Sequence, residues 1–500
     1  MIDLRTNRLI NLKNNLKVIF NLIPLIIIFT YADLFSEEKL NLTLKSAIQI
    51  AIESSPNASI INEIRKQREQ AYKAFQANLY PQLSLNVSAP GAIREINQIT
   101  QNDGTQRFLQ QSQFFSSAGM SLNQTIPYLG TDITIFSGLT RLDIVEPSTT
   151  QLWRTTPIQF SINQSIFAFN SLYWEKQLQN LRKLNIDKQY IEEFEELAIN
   201  ITNSFFDLYL AKMNLENAKR NVSSNDSLYI ISKGRFSVGR IAENDLLQSE
   251  LALLNAQNNV ETFKIEYDNA KVRLKIILNL DKNLEIELDE PKNVFEEEID
   301  YNLAYLKMLE NNSDVIGFLI SEKEAERELD RAYKNNNFNA NISMSYGFNQ
   351  SASQFDVAYQ NLLDRERLNV GVSVPILDWG RREANYESAL ANLEQTKLNI
   401  DLNKQNLEQE VKYTALRLNQ LRDRVRLSEN SVKIAEKRLD LAKNRFLIGK
   451  IDLNDFFIAQ NEKNNAFINY INSLRDYWNN YYRLRRLTLY DFEKNENIGY

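Results

Sequence analysis

The alternation of apolar and polar positions divides the chain into two kinds of segment. Ser171 to Lys233 and Arg381 to Ile448 contain neither Gly nor Pro. In the later run, apolar or small residues recur in steps of three and four: Leu407, Val411, Thr414, Leu418, Leu421, Val425, Ser428, Val432, Ala435, Leu439, Ala442 and Phe446. That is a heptad seam. The earlier run repeats it 210 positions upstream (407 − 197 = 210), from Leu197 through Leu208 to Phe236. The spacing predicts long helices over 171–236 and 381–447, each roughly 100 Å at 1.5 Å per residue. Return helices are expected over 242–280 and 453–490, and shorter ones over about 43–78 and over 302–335.

Four other segments alternate with period two, at 82–90, 157–167, 338–349 and 367–376. Leu83, Leu85 and Val87 mark one face of the first, and Leu368, Val370, Val372 and Val374 one face of the last. The opposite faces carry Ser, Asn, Gln or Gly. This pattern suits a half-buried soluble sheet or a lipid-facing wall with a wet lumen. Nine extended residues reach about 30 Å and, tilted by about 40°, cover a height near 23 Å, close to the apolar band of membrane barrels. A spanning barrel needs about eight strands or more. Four strands therefore call for copies of the chain to be pooled: two copies give eight and three give twelve.

Composition narrows the chemistry. The 500 residues include no Cys and no His, which removes disulfides, thiolate metal sites, Cys nucleophiles and His-based acid–base schemes. A net charge of −6 without a basic face does not suit nucleic acid. No catalytic residue, cofactor site or metal site is expected. The first 36 residues read as a signal peptide: Arg5, Arg8, Lys13 and Lys17 precede an apolar run from Val18 to Tyr31, too short for a spanning helix. Cleavage is expected near Ala32 or Ser36; the alternative is an uncleaved anchor. No other stretch is apolar and long enough for a membrane helix, so an exported chain of this kind would enter a membrane as a β-barrel. Export and the long helices favour the membrane reading of the strands.

Two turns repeat at the same offset. "KGRFSVGRIAEND" begins at Lys233 and "KNRFLIGKIDLND" at Lys443 (443 − 233 = 210). Gly239 and Gly449 permit reversal at positive φ. Val238 and Ile448 stand beside them as apolar knobs. Asn244 or Asp245, and Asn454 or Asp455, are candidates to cap the return helices.

Several stretches together resemble the TolC-like outer-membrane factors, the exit ducts of bacterial efflux pumps and type I secretion systems. "GVSVPILDWGRREA" from Gly371 resembles the family's strand-to-helix junction, with Pro375, Asp378, Trp379 and Gly380; "SINQSIFAFNSLYWEKQ" from Ser161, with Phe167, Phe169 and Asn170, is its first-half counterpart. "LTLKSAIQIAIESSPN" from Leu42 resembles the opening helix, "LYPQLSLNVS" the first strand, and the two repeated turns the helix–helix tips. The resemblance runs from Leu42 to about Leu489.

It implies an α+β membrane protein: a trimeric outer-membrane β-barrel, four strands per chain, continued by a long periplasmic α-helical barrel. Two tandem structural repeats occupy 37–290 and 291–490, followed by a tail at 491–500. The implied place is the outer membrane of a Gram-negative-type bacterium, extending into the periplasm. The implied partners are outer-membrane lipid, a periplasmic adaptor (membrane fusion) protein and an inner-membrane pump. The tips would dock the adaptor through Val238, Gly239, Arg240, Ile448, Gly449 and Lys450. The pore would be narrowest beside Phe236, Asp245, Phe446 and Asp455. Whether the two aspartates form acidic rings or only cap helices stays open, as does whether Arg240 and Lys450 pair with the adaptor or are solvated. A coiled-coil adaptor or scaffold without a pore is the rival; it explains the heptads but not the strands.

One feature departs from the repeat. Pro81 to Phe160 spans 79 positions and Phe338 to Val370 spans 32, an excess of 47 in the first half. Tyr128 to Thr131 has hairpin character. The expectation is a loop outside a four-strand contribution; an external cap and two additional strands are the alternatives.

Overall fold

The computed structural model describes residues 39–100, 103–146, 149–291 and 294–500. The signal peptide expected over 1–36 lies outside them. The element order is β1 (Lys39–Leu42), α1 (Leu44–Ser54), α2 (Pro56–Asn78), β2 (Gln82–Thr100), β3 (Gln106–Ile126), β4 (Thr131–Glu146), β5 (Thr150–Ile166), α3 (Ser171–Ser237) and α4 (Glu243–Leu278). It continues with β6 (Glu285–Leu288), α5 (Tyr301–Asn311), α6 (Ser313–Asn335), β7 (Asn339–Ala352), β8 (Leu363–Ser373), α7 (Arg381–Leu447), α8 (Leu453–Thr488) and the short strands β9 (Tyr490–Asp491) and β10 (Glu496–Asn497).

The short helices are broken where the backbone chemistry demands it. Pro56 has no N–H and pushes Ser55 to an extended conformation (φ −71°, ψ 151°), and the Ser55 hydroxyl then accepts from Ala58 N at 3.0 Å. At the equivalent break Asn312 accepts from Asp314 N at 2.8 Å and donates to Leu487 O at 2.9 Å. Beside it Glu192 accepts from the amide and hydroxyl of Ser313 at 3.1 and 2.6 Å; burial raises the carboxyl pKa above its ordinary value.

The element starts locate the excess residues. α1, α2 and β2 precede α5, α6 and β7 by 257 positions (301 − 44, 313 − 56, 339 − 82). α3 and α4 precede α7 and α8 by 210 (381 − 171, 453 − 243). The difference of 47 therefore falls between the start of β2 and the start of α3. It is close to the length of the β3–β4 hairpin with its connections.

This hairpin corrects the expected loop. One antiparallel sheet runs β2-β3-β4-β5-β7-β8, so the chain supplies six strands and not four. Two strands were inserted, an even number, so β2 and β5 keep their opposed directions. The hairpin lacks a clean period of two for physical reasons. A register shift at Ser112/Gln113 slips the alternation, adjacent pairs such as Phe114–Phe115 present an aromatic to each face, and the Phe136 ring lies across Gly119 and Gly138 on the otherwise polar side.

Register gives the sheet two unlike faces. Leu83, Leu85 and Val87 of β2 oppose Leu122, Met120 and Ala118 of β3, and these oppose Ile135, Ser137 and Leu139 of β4. Ile133 and Ile135 oppose Ile162 and Phe160 of β5, which oppose Met344 and Tyr346 of β7, and Met344 opposes Leu368 of β8. The other face carries Ser84, Ser121, Asn123, Thr134, Ser161, Asn163, Ser343, Ser345 and Asn369 in the same registers.

Compact packing does not follow the two sequence repeats; each of two units draws segments from both. One takes the described part of the chain up to Ile60 with Phe194–Glu298 and Arg417–Arg483; it contains the parallel β1–β6 pair and the two helix–helix turns. Its core includes Phe205, Phe206, Leu208, Leu274, Tyr477 and Tyr481. The other takes Ile61–Glu193, Ile299–Leu416 and Leu484–Tyr500 and contains the six-stranded sheet. Along α7 every seam residue from Leu407 to Phe446 is buried or half-buried; along α3 Phe236 alone is exposed.

Candidate functional site

The two helix–helix turns share one geometry. Gly239 and Gly449 sit at φ 73° and 74°. Gly239 N donates to Phe236 O at 2.8 Å and Arg240 N to Arg235 O at 2.9 Å; Gly449 N donates to Phe446 O at 2.9 Å and Lys450 N to Arg445 O at 2.9 Å. These are Schellman closures, which satisfy the last carbonyls of each long helix and require the left-handed residue that glycine supplies without strain. Val238 and Ile448 point outward, 67% and 66% exposed.

The return helices are capped differently from expectation. They begin at Glu243 and Leu453, so positions 244, 245, 454 and 455 lie inside the first turn and are not cap positions. Asp452 is the cap of α8, its carboxylate accepting from Asp455 N at 2.8 Å. The matching residue before α4, Ala242, has no side-chain acceptor. Asn454 instead accepts from Gln248 at 2.8 Å, tying the start of α8 to α4.

Phe446 is only 4% exposed. It packs with Leu228, Ala442, Leu453, Phe456 and Ala459, its ring 6.3 Å from that of Phe456. Its place among residues expected to line a constriction is therefore corrected: the ring is core, held by a hydrophobic cluster formed where the two turns meet. Phe236, its counterpart, stays on the surface.

Arg235 was not among the sequence candidates. Its Nη2 donates to Phe446 O at 2.9 Å and Leu447 O at 3.2 Å, and its guanidinium lies 5.0 Å from the Phe446 ring centre. A cation on the last carbonyls of a helix opposes the negative end of its dipole. The first turn thus clasps the second. The signal in the sequence was the repeated "RF", whose arginine has this use in one repeat only, because the helix end it clasps belongs to the other. Arg235, Arg240, Asp245, Gln248, Asp452 and Asp455 line an open cleft of about 890 Å³ beside the clasp.

The strand-to-helix junctions lie in the other unit. Asn170 caps α3, accepting from Tyr173 N at 3.0 Å and donating to Pro127 O in the β3–β4 turn at 2.7 Å. The Phe169 ring lies under Arg331, and the Phe167 ring, at a residue with φ 66°, meets Phe338. Before α7 the Asp378 carboxylate accepts from Gly380 N at 3.2 Å and Arg382 N at 3.1 Å. Trp379 and Gly380 take positive φ just after Pro375, and Trp379 is 89% exposed.

The chain thus joins one six-stranded antiparallel sheet to two long helical hairpins through capped strand-to-helix junctions. The family model for the outer membrane efflux protein matches residues 309–488. Toxin and drug export protein A of Aggregatibacter actinomycetemcomitans is 20% identical over 289 residues, 56% of this chain and 61% of that protein, so the match spans under two thirds of the curated relative. The fold is similar to the CmeC outer membrane channel of Campylobacter jejuni: TM-score 0.63, 15% identity, 89% of this chain and 85% of that one. It is similar also to the outer membrane protein VceC of Vibrio cholerae, at TM-score 0.62 and 14% identity, over 89% of this chain and 95% of that one. Residues 309–488 thus match the outer membrane efflux protein family model, and the chain as a whole has the fold of these solved outer-membrane channels. Among the described residues no helix is long and apolar enough to cross a membrane.

Proposed function

We propose that this chain is the outer-membrane exit duct of a tripartite efflux or type I secretion system and that it works as a homotrimer. The sheet is the membrane wall, and the long helices carry the duct through the periplasm. The turns at Gly239 and Gly449 are its inner tips, where an adaptor and an inner-membrane pump deliver cargo.

The observation that carries this reading is the two-faced sheet. A wall in lipid needs one apolar side, one wet side and no unpaired edge. Six strands in one chain still leave two edges, so the ring closes only between copies. The helices make the same demand. α4 exposes Leu247, Leu254, Ile265 and Val272, and α7 exposes Leu427, Ile434 and Leu441, at seven- and eleven-residue steps. Apolar stripes at that spacing are seams awaiting neighbours. A pore-free adaptor or scaffold has no use for a sheet with an apolar outer face.

The tips suit docking: Val238 and Ile448 are exposed knobs on rigid, glycine-closed turns. The test is to express the chain in a strain lacking its own exit duct, fractionate the membranes, weigh the detergent-extracted assembly by native mass spectrometry and measure dye efflux with a cognate pump and adaptor. Outer-membrane trimers that restore efflux are expected. Monomers with intact sheet structure, or recovery in the soluble periplasm, would overturn the reading.

A further inference from the structure

We propose that the β3–β4 hairpin, Gln106–Ile126 and Thr131–Glu146, is lipid-facing pore wall, so that each subunit lends six strands to a duct wider in the membrane than four strands per subunit would build. This rests on the trimeric duct proposed above, and a second copy of this chain is the partner at each sheet edge.

The hairpin lies inside the sheet, between β2 and β5, and carries the two-faced pattern in step with its neighbours. Leu122, Met120 and Ala118 continue the apolar side of β2, and Ile133, Ile135 and Leu139 continue it to β5. An aqueous loop or external cap has no reason to keep this pattern across two strands. Ala118–Ile126 and Thr131–Leu139 are nine residues each, a height of about 23 Å at the usual tilt, which is the apolar band of a membrane barrel.

That band ends at a definite level on each side. On the apolar side, charge begins beyond Val87, Ala118 and Leu139, where Arg94 pairs with Glu146 at 3.6 Å and Arg141 with Asp143 at 2.9 Å. Trp153 and Phe355 gather at this level with ring centres 5.2 Å apart. At the other end Tyr80, Tyr128 and Phe167 are exposed, and Tyr128 belongs to the β3–β4 turn itself. Aromatic girdles at both limits of an apolar band mark the two membrane interfaces. The hairpin turn is tied to the inner limit through Asn170 and Pro127.

Ser117, Gly119, Ser121, Asn123, Asp132 and Thr134 face the same way as the polar residues of β2, β5, β7 and β8. Phe136 is the bulky exception, and its ring is laid flat: a Cβ added at Gly119 or Gly138 would sit 2.9 or 2.5 Å from it. The two glycines let the ring lie along the wall instead of standing into the lumen.

Three copies of six strands make eighteen, against twelve for three copies of four. Barrel diameter grows nearly in proportion to strand number, so the bore widens about 1.5-fold.

The natural absence of Cys makes the full chain a ready background for the test. Single variants Met120→Cys, Ser121→Cys, Thr134→Cys and Ile135→Cys are reconstituted in liposomes and treated with a charged, membrane-impermeant thiosulfonate. The Ser121→Cys and Thr134→Cys thiols should react roughly tenfold faster or more than the Met120→Cys and Ile135→Cys thiols, because the reactive thiolate does not form in hydrocarbon. A second variant joins residue 100 to 150, removing the hairpin; the largest polymer that enters its pore should fall to about two thirds in diameter. Should the deletion fail to fold, the labelling pattern decides alone. Equal reactivity on both sides, or polymer exclusion unchanged by the deletion, overturns the inference. Trimer mass and outer-membrane fractionation are read on the same samples. Their survival with labelling lost sinks only the widened wall, whereas their loss sinks the duct itself.

Discussion

Replacing Arg235 should loosen one helix–helix turn from the other without unfolding either. The side chain makes two charge-assisted bonds, at 2.9 Å to Phe446 O and 3.2 Å to Leu447 O, and lies against the Phe446 ring. Phe446 O keeps its partner Gly449 N, so Arg235→Ala leaves that carbonyl satisfied. The loss is then the net worth of the clasp and not a buried orphan. Arg235 is half-exposed, which places the pair at the low end of charged hydrogen bonds, about 1.5 kcal/mol, or roughly tenfold in the docked-to-loosened ratio. Arg235→Lys keeps the charge but not the fork, and should fall between. Arg445 holds the matching place in the other repeat, and its side chain has no hydrogen bond or ion pair among the described contacts within the chain, so Arg445→Ala is the control for a lost surface charge. The assay is single-channel recording of reconstituted protein, with hydrogen exchange at residues 443–452. Arg235→Ala should raise the conducting fraction and exchange severalfold at an unchanged melting temperature. If Arg235→Ala and Arg445→Ala match each other and the wild type in both measurements, the clasp does not hold the tips.

Leu208 and Leu418 are 1% and 2% exposed at the same seam position of the two repeats, so Leu208→Asp and Leu418→Asp should each cost several kcal/mol and abolish stable assembly, read by melting and native mass. Asp452→Ala removes the α8 cap and should cost about 1 kcal/mol, whereas Asp455→Asn should be stability-neutral; a selectivity change in Asp455→Asn alone would assign that carboxylate to the pore. Burial raises the Glu192 pKa, so its ionisation opposes folding: that penalty is full above the folded pKa and relieved as pH falls through it. Glu192→Gln should therefore melt above wild type at pH 8, with the gap closing toward pH 5; a gap independent of pH would refute the linkage. Gly239→Val and Gly449→Val force a β-branched residue to φ near 73° and 74° and should cripple efflux while trimers persist, the double variant being worse than either.

The long helices were legible in the sequence because a heptad seam held over forty residues, Leu407 to Phe446, is a local, repetitive signal that packing only confirms. The turns were legible for a similar reason: a glycine at the end of such a run is required by backbone sterics wherever the hairpin points. The four strands with clean alternation could also be read, since period two is a property of the strand itself. Pairing is not local, and there sequence reasoning stopped. The β3–β4 hairpin hides behind a register shift and paired aromatics, and its place between β2 and β5 exists only once hydrogen bonds are drawn. Phe236 and Phe446 are identical in motif, yet Phe446 is buried and Phe236 is not, because a tandem repeat packs each copy against a different neighbour. Arg235 clasps Phe446 O for the same reason. Periodicity depends on residues a few positions apart, whereas Arg235 and Phe446 are 211 positions apart, and only the tertiary structure brings them together.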